Sequence, residues 1–362
     1  MGMQKTIIKI EHPRRHHMVG DGFRVSQYIP GYGREMSNDT SPFLMLDYNT
    51  PWQIPPQHGH RPGVGFHPHR GFETVTIVYS GEIEHQDTAG HGGVIWADEV
   101  QWMTAGSGLL HNEFMTENFS KTGGIQHVAQ LWVNLPKEHK MTPPRYQALT
   151  RENIPEVEFD GGRVRVIAGN LKARFPSSRE QWSATEWNVA IQDSGLLRHT
   201  RNDETIEQRW AAKTFSPVEL YDIRFDFCHP IEIPLDTELW EINNNPLISE
   251  KESDSSVSLG MTKEARTLEL QFPENSTLML LVAEWEIQVN DKTIENGNMV
   301  HFSRSGTSIL VRSHSIAKVL VMAGKPIDEP IVQYGPFVMN TEAEIQQAFD
   351  DFHAGKMGSL EL

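Results

Sequence analysis

Two histidines stand two residues apart with a proline between them, His67-Pro68-His69, just before a β-branched and aromatic run at Thr74–Tyr79. Successive side chains of an extended chain point to opposite faces, so His67 and His69 share a face at a separation of roughly 7 Å. Imidazoles that close can converge on one metal ion. Pro68 has no N–H for a sheet ladder and belongs at an edge, a strand start or a bulge, where it stiffens the backbone that aims both rings. Two ligands do not make a site. A second i, i+2 pair, His111 and Glu113, follows the glycines at 106 and 108, which suggest a tight turn before a strand. Two adjacent antiparallel strands, each carrying such a pair, would deliver three imidazoles and one carboxylate to a common point. That donor set suits iron, manganese, nickel, copper or zinc and disfavours magnesium and calcium, which prefer oxygen. An octahedral ion held by four protein groups keeps two positions for water, O2 or substrate.

Taken alone, one His-x-His is more often a pair of half-buried polar residues than a metal site. The second pair behind a glycine turn tips the balance towards a metal. Glu73 is a further candidate ligand, with the plainer role of orienting a ligating histidine by a hydrogen bond. His58 and His60 form another His-x-His among prolines and glycines, as on a surface loop near the site mouth. His16 and His17 follow Arg14 and Arg15 and read as a solvated basic patch. His85, His91 and His127 read as structural or rim residues, and Cys228 as a small core residue. Trp96, Trp102 and Trp132 read as core aromatics.

The elements that would position these groups are short strands broken by glycine. Twelve of the 17 histidines lie in the first 140 residues, so the histidine chemistry belongs to the first half. There Thr74–Tyr79, Glu82–Gln86, Gly93–Ile95, Gln101–Met103 and His127–Val133 read as strands of an antiparallel sandwich or barrel. Residues 135–147 are polar and proline-rich and read as the inter-domain connection, which puts one domain at residues 1–140 and a second at 141–362. The second half repeats the theme at Val164–Ala168, Glu219–Phe227, Leu278–Val289 with a turn at Asn290-Asp291, Met299–Phe302, Ser308–Val311 and Ala317–Met322. Two stretches interrupt it: residues 194–214, with helical character around Asp203–Ala212, and the polar loop Ser249–Ser258. A C-terminal helix is expected after the capping box Thr341–Glu344, with Ile345, Phe349 and Phe352 on one face and a stop at Gly355.

Composition limits the alternatives. A chain of 362 residues suits about two domains. The net charge of −16 repels phosphate backbones and speaks against direct nucleic-acid binding. With a single cysteine there is no intrachain disulfide and no thiolate cluster, which fits a reducing compartment. No run of 18 apolar residues spans a membrane, and the first residues lack the apolar core of a secretory signal. Gly2 with Thr6 meets the loose myristoylation pattern by chance. The expected location is cytoplasmic, or nuclear in a eukaryotic cell.

The residues His67, His69, Glu73, Gly81, Gly108 and His111 resemble the cupin superfamily pattern of a His-x-His, a later glutamate and glycine, and a separate Gly-x-x-His. More narrowly, HPHRGFETVT, GEIEHQDTAGH, QWMTAGSGLLHNE, AQLWVNLP and GKPIDEPIVQYGPFVMNT resemble the pirin family over nearly the whole chain. The resemblance implies an all-β bicupin, two barrels face to face, with metal in the N-terminal one only. It implies that His67, His69, His111 and Glu113 hold one divalent metal, usually Fe(II), and that Glu73 is not a ligand. Residues 272–277 carry no His-x-His, which fits a second barrel without metal. Residues 194–214 and 230–268 are extra sequence relative to the family, and Asn112 stands where small residues are common. By the same resemblance the chain is expected to be a quercetin 2,3-dioxygenase-like oxidoreductase. Its substrates would be a small aromatic such as a flavonol and O2. Glu113 would be the catalytic base, and ring cleavage would release carbon monoxide. The runner-up is an iron-dependent redox-sensing cofactor that binds a transcription or metabolic protein. A third reading is a metal-assisted sugar isomerase, with zinc.

Overall fold

The computed structural model describes residues 3–29, 38–159, 161–174, 187–188, 190–191, 197–201, 204–208, 212–226 and 265–359. As expected, the protein is built from two β-barrels and a short C-terminal helix. In the first barrel a seven-stranded sheet runs in the spatial order Arg145–Leu149, Val100–Thr104, Phe72–Ser80, Gly124–Asn134, Phe43–Ile54, Phe23–Ile29, His17–Val19. A four-stranded sheet, Gly63–His69, Leu109–Met115, Glu82–Asp87, Gly92–Trp96, closes over it. The second barrel has its own seven-stranded sheet, with Thr277–Glu284, Ala317–Gly324 and Val218–Phe225 at its centre.

The two seven-stranded sheets pack on each other, and this explains why their central strands are buried almost throughout. Along Phe72–Ser80 the odd residues Val75, Ile77 and Tyr79 enter the core shared with Leu220, Met279 and Leu320 of the second barrel. The even residues turn into the first barrel, where Val78 packs with Phe23, Ile83 and Val128. A strand buried on both faces loses the usual hydrophobic alternation. The second barrel's interior is a single large aliphatic cluster that includes Val164, Tyr221, Leu280 and Val319.

Strand pairing crosses the expected division at residue 140 in both directions. Ile7–Glu11 pairs with Met299–Phe302 of the second barrel, and buried Lys5 donates to the carbonyls of Ser276, Ser303 and Arg304 there. Arg145–Leu149, the end of the expected connection, is an edge strand on Val100–Thr104 of the first barrel. The C-terminal segment returns to the first barrel as well. The Arg70 guanidinium forms a buried ion pair with Asp351 at 2.9 Å, and the Val338 N–H donates to the Arg70 carbonyl. Gly71, at φ +88°, packs so closely that a Cβ would meet the Val338 oxygen at 2.0 Å, an approach only glycine tolerates.

The helix Glu342–His353 begins as the capping box predicts, with Thr341 Oγ1 accepting from the Glu344 N–H at 3.2 Å. The Glu344 carboxylate reaches one residue further back than expected, to the Asn340 N–H. Gly355 supplies a positive φ at the stop. The helical character expected around Asp203–Ala212 is not found: Glu204–Gln208 is a strand paired with Leu197–Arg201. Cys228, the loop Ser249–Ser258 and most of 230–268 lie outside the described residues. Among the described residues no helix is long and apolar enough to cross a membrane.

Candidate metal centre

The strand Leu109–Met115 sits between Gly63–His69 and Glu82–Asp87 in the four-stranded sheet. His111 lies directly opposite His67, and Leu109 opposite His69. A register shift between His111 and Glu113 bends the strand at the site, as bulges beside functional centres often do. The result is a triangle of imidazoles with ring centroids 4.3 Å apart for His67 and His111, 4.7 Å for His67 and His69, and 4.8 Å for His69 and His111. One nitrogen from each lies within 4.8 Å of the others.

These rings fit a metal by their hydrogen bonds. The Gly65 carbonyl accepts from His67 Nδ1 at 2.8 Å, which fixes that tautomer and leaves Nε2 as a lone-pair donor. His69 Nδ1 and His111 Nε2 are buried without a hydrogen-bond partner. Buried polar atoms ordinarily find one. Desolvation, and then the neighbouring His67, hold His69 and His111 well below the usual imidazole range. Both are neutral at physiological pH, the form a metal requires.

Glu113 is buried on the same strand. Its carboxylate accepts from Gln130 Nε2 at 2.8 Å, Gln101 Nε2 at 3.1 Å and Thr76 Oγ1 at 3.3 Å. It groups with His111 and with His85 rather than with all three predicted histidines.

His85 was expected to be structural or at the rim, yet it is fully buried beside the triangle. Its Nδ1 lies 3.3 Å from His111 Nδ1, its Nε2 lies 3.2 Å from Asp87 Oδ2, and Tyr146 stacks on its ring. Asp87 is itself fixed by the N–H groups of Ala89 and His91. If His85 Nε2 carries the proton shared with Asp87, its Nδ1 accepts from His111, and His111 Nε2 is left free to ligate. Asp87→Asn removes that constraint on the tautomer. Its expected effect is a 10- to 100-fold weaker metal affinity with the fold retained, read by competition against a chelator. Unchanged affinity would show that Asp87 does not act through His111.

Glu73 does not orient a histidine. It shares the face of Val75 and Ile77, turned towards the second barrel, and its Oε1 accepts from Thr104 Oγ1 at 2.7 Å. Burial pushes the carboxyl up to about 7. A carboxyl raised in the folded state binds protons that the unfolded chain has released. Its stability contribution is therefore full below about 4.5 and is lost as pH rises to about 7. Relative to Glu73→Gln, wild-type stability is expected to fall by on the order of 3 kcal/mol between pH 4.5 and 8, measured by urea unfolding of both proteins across that range. Parallel pH profiles would refute it.

Of the other histidines, exposed His60 pairs with Asp21 at 2.6 Å, and neither it nor His58 lines the cavity at the centre. His127 lies between the barrels, bonded to Tyr48 and Glu284. Trp102 is core as expected, Trp96 is exposed, and Trp132 packs beside His69. His67, His69, Glu113 and Trp132 line a cavity of about 320 Å³ together with aliphatic residues such as Val25, Val64 and Val128. His17 of the expected basic patch reaches this lining, together with Gln27, Asp47 and Asn49, none of which was singled out in the sequence. A larger cleft of about 790 Å³ beside the second barrel, between Asn170 and Lys325, has no histidine in its lining.

Known proteins resemble this chain in sequence and fold. A family model described as Pirin matches residues 22–133, and one described as the Pirin C-terminal cupin domain matches residues 259–358. The chain is 35% identical over 354 residues to a Pseudomonas aeruginosa protein named as a candidate quercetin 2,3-dioxygenase, covering 97% of this chain and 98% of the relative. A solved structure named quercetin 2,3-dioxygenase from Acinetobacter baumannii is 35% identical, with a TM-score of 0.73 over 99% of this chain and all of that one. The Escherichia coli pirin YhhW, solved with nickel(II), shares the fold at 16% identity and a TM-score of 0.50, covering 88% of this chain and all of the other.

Proposed function

Because the chain belongs to the pirin family, we propose that it is a metal-dependent dioxygenase that opens the ring of a flavonol-like aromatic with O2. The observation that carries this reading is the triangle His67, His69 and His111. Among the described residues His69 Nδ1 and His111 Nε2 are buried without a hydrogen-bond partner, and His67, His69 and Glu113 line the adjoining cavity. The three imidazoles and Glu113 would hold one divalent transition metal, with Fe(II) as the expected occupant. When bound, the metal supplies a Lewis-acidic anchor for the substrate's oxygen atoms and the redox partner for O2.

The chain's own residues do the rest. The aliphatic walls and Trp132 exclude water and hold the aromatic rings in place. Glu113 accepts the proton of the flavonol 3-hydroxyl on a carboxylate oxygen, which makes the substrate electron-rich. Gln130, Gln101 and Thr76 donate to that carboxylate and keep it aimed. Both atoms of O2 enter the products, and one ring carbon leaves as carbon monoxide.

The test is elemental analysis of anaerobically purified protein, with quercetin-dependent O2 uptake on the same sample. About one metal per chain with uptake supports the proposal. One metal without uptake overturns the dioxygenase reading and favours an iron-dependent partner-binding role. No metal overturns the site.

A further inference from the structure

The sheet that lines the cavity beyond Glu113 has a chemistry of its own. Five residues stand directly opposite one another on five adjacent strands of the first barrel's large sheet: Gln27, Asp47, Gln130, Thr76 and Gln101. They form one polar rung across an otherwise apolar wall. At one end the rung is satisfied, because Gln130, Thr76 and Gln101 all donate to Glu113. At the other end it is not. Asp47 is 7% exposed and lines the cavity, yet its Oδ1 has no hydrogen-bond partner among the described residues. Gln27 is hydrogen-bonded to the Asp47 carboxylate.

An unpaired buried carboxylate oxygen is costly and calls for a donor. Burial already pushes the Asp47 carboxyl up to about 6, which an incoming donor would offset. The cavity offers the space for that donor, and its lining already holds the groups that would fix the reacting hydroxyl.

Resting on the function proposed above, we propose that Asp47 determines specificity by accepting a hydrogen bond from a phenolic hydroxyl on the substrate ring remote from the metal. The preferred ligand is therefore a polyhydroxylated flavonol. One bearing only the metal-directed hydroxyl leaves Asp47 unpaired, and a carboxylated one is repelled.

The test is anaerobic titration of the metal-loaded protein with quercetin and with 3-hydroxyflavone, which share the 3-hydroxyl and 4-keto groups but differ in their other hydroxyls. Wild type is expected to bind quercetin about 10- to 100-fold more tightly. Asp47→Leu, at unchanged metal content, should bring quercetin down to the level of 3-hydroxyflavone. Asp47→Asn, which keeps a side-chain carbonyl acceptor, should retain part of the preference and provides the comparison if the leucine variant folds poorly. A wild-type preference that survives in both variants, or wild type that does not discriminate, overturns the role of Asp47 and leaves the dioxygenase reading standing. Wild type that binds neither flavonol overturns that reading and this inference with it.

Discussion

His111→Ala is expected to yield a folded protein whose metal content drops from about one ion per chain to nearly none. His111 is the centre of the site in the literal sense. Its strand lies between those of His67 and His85, and its ring is within 4.3 to 5.2 Å of three other imidazoles. Removing it leaves His67 and His69 as the remaining imidazoles and takes away the histidine that joins them to Glu113. The fold should tolerate the change, because neither ring nitrogen of His111 carries a backbone hydrogen bond among the described residues and its strand is held by both neighbours. Elemental analysis decides the matter, with a thermal melt to confirm folding. A change at exposed His314 in the second barrel is the control and should leave metal content untouched. Normal loading in the His111 variant would remove it from the ligand set.

Glu113→Gln is expected to keep the fold and lose turnover by about 10²- to 10⁴-fold, the usual worth of a positioned general base. Glutamine preserves the length of the side chain but cannot take the substrate's proton. It also presents an N–H2 group where Glu113 receives N–H donors from Gln130 and Gln101, so one of those amides must turn. The measurement is kcat for flavonol oxidation at saturating metal, with metal content determined on the same sample. That pairing separates loss of the base from loss of the ion. Full turnover with normal metal would exclude Glu113 from the chemistry.

The His67–His69 and His111–Glu113 pairs could be read from the sequence because each is a local i, i+2 pattern, and a strand makes such a pattern geometric. His85 carried the same signal. Ile83, His85 and Asp87 alternate with exposed or half-exposed residues, so His85 faces inwards with an aliphatic neighbour. Its own strand supplies only Asp87, two residues on, which by itself does not point to the histidine triangle. Its partner, His111, is reached only through sheet pairing. Asp47 stayed hidden for a related reason. A carboxylate within the run Phe43–Tyr48 shows an oddity of composition, and only the register across five strands turns it into the end of a rung. Glu73 faces the shared core with Val75 and Ile77, and its hydrogen bond to Thr104 on the neighbouring strand leaves no trace in the local sequence. Pairings such as Ile7–Glu11 with Met299–Phe302 join residues nearly 300 apart and leave no local trace.

Because Pro336, Val338 and Asp351 pack onto the barrel that the first half of the chain builds, the histidine centre depends on a segment far along the sequence. A nascent polypeptide extended past Met115 already contains all three imidazoles and Glu113. It still lacks Pro336, which lines the cavity, Val338, which covers Phe72 and Trp132, and Asp351, which neutralises buried Arg70. Domains usually mature in order of emergence from the ribosome, but here the first barrel must wait for the second to be made. Without residues 336–351 the first barrel would expose the apolar faces of Phe72 and Trp132 and leave the buried Arg70 guanidinium without its carboxylate. A metal held at the histidine triangle would thus report that this distant segment has docked.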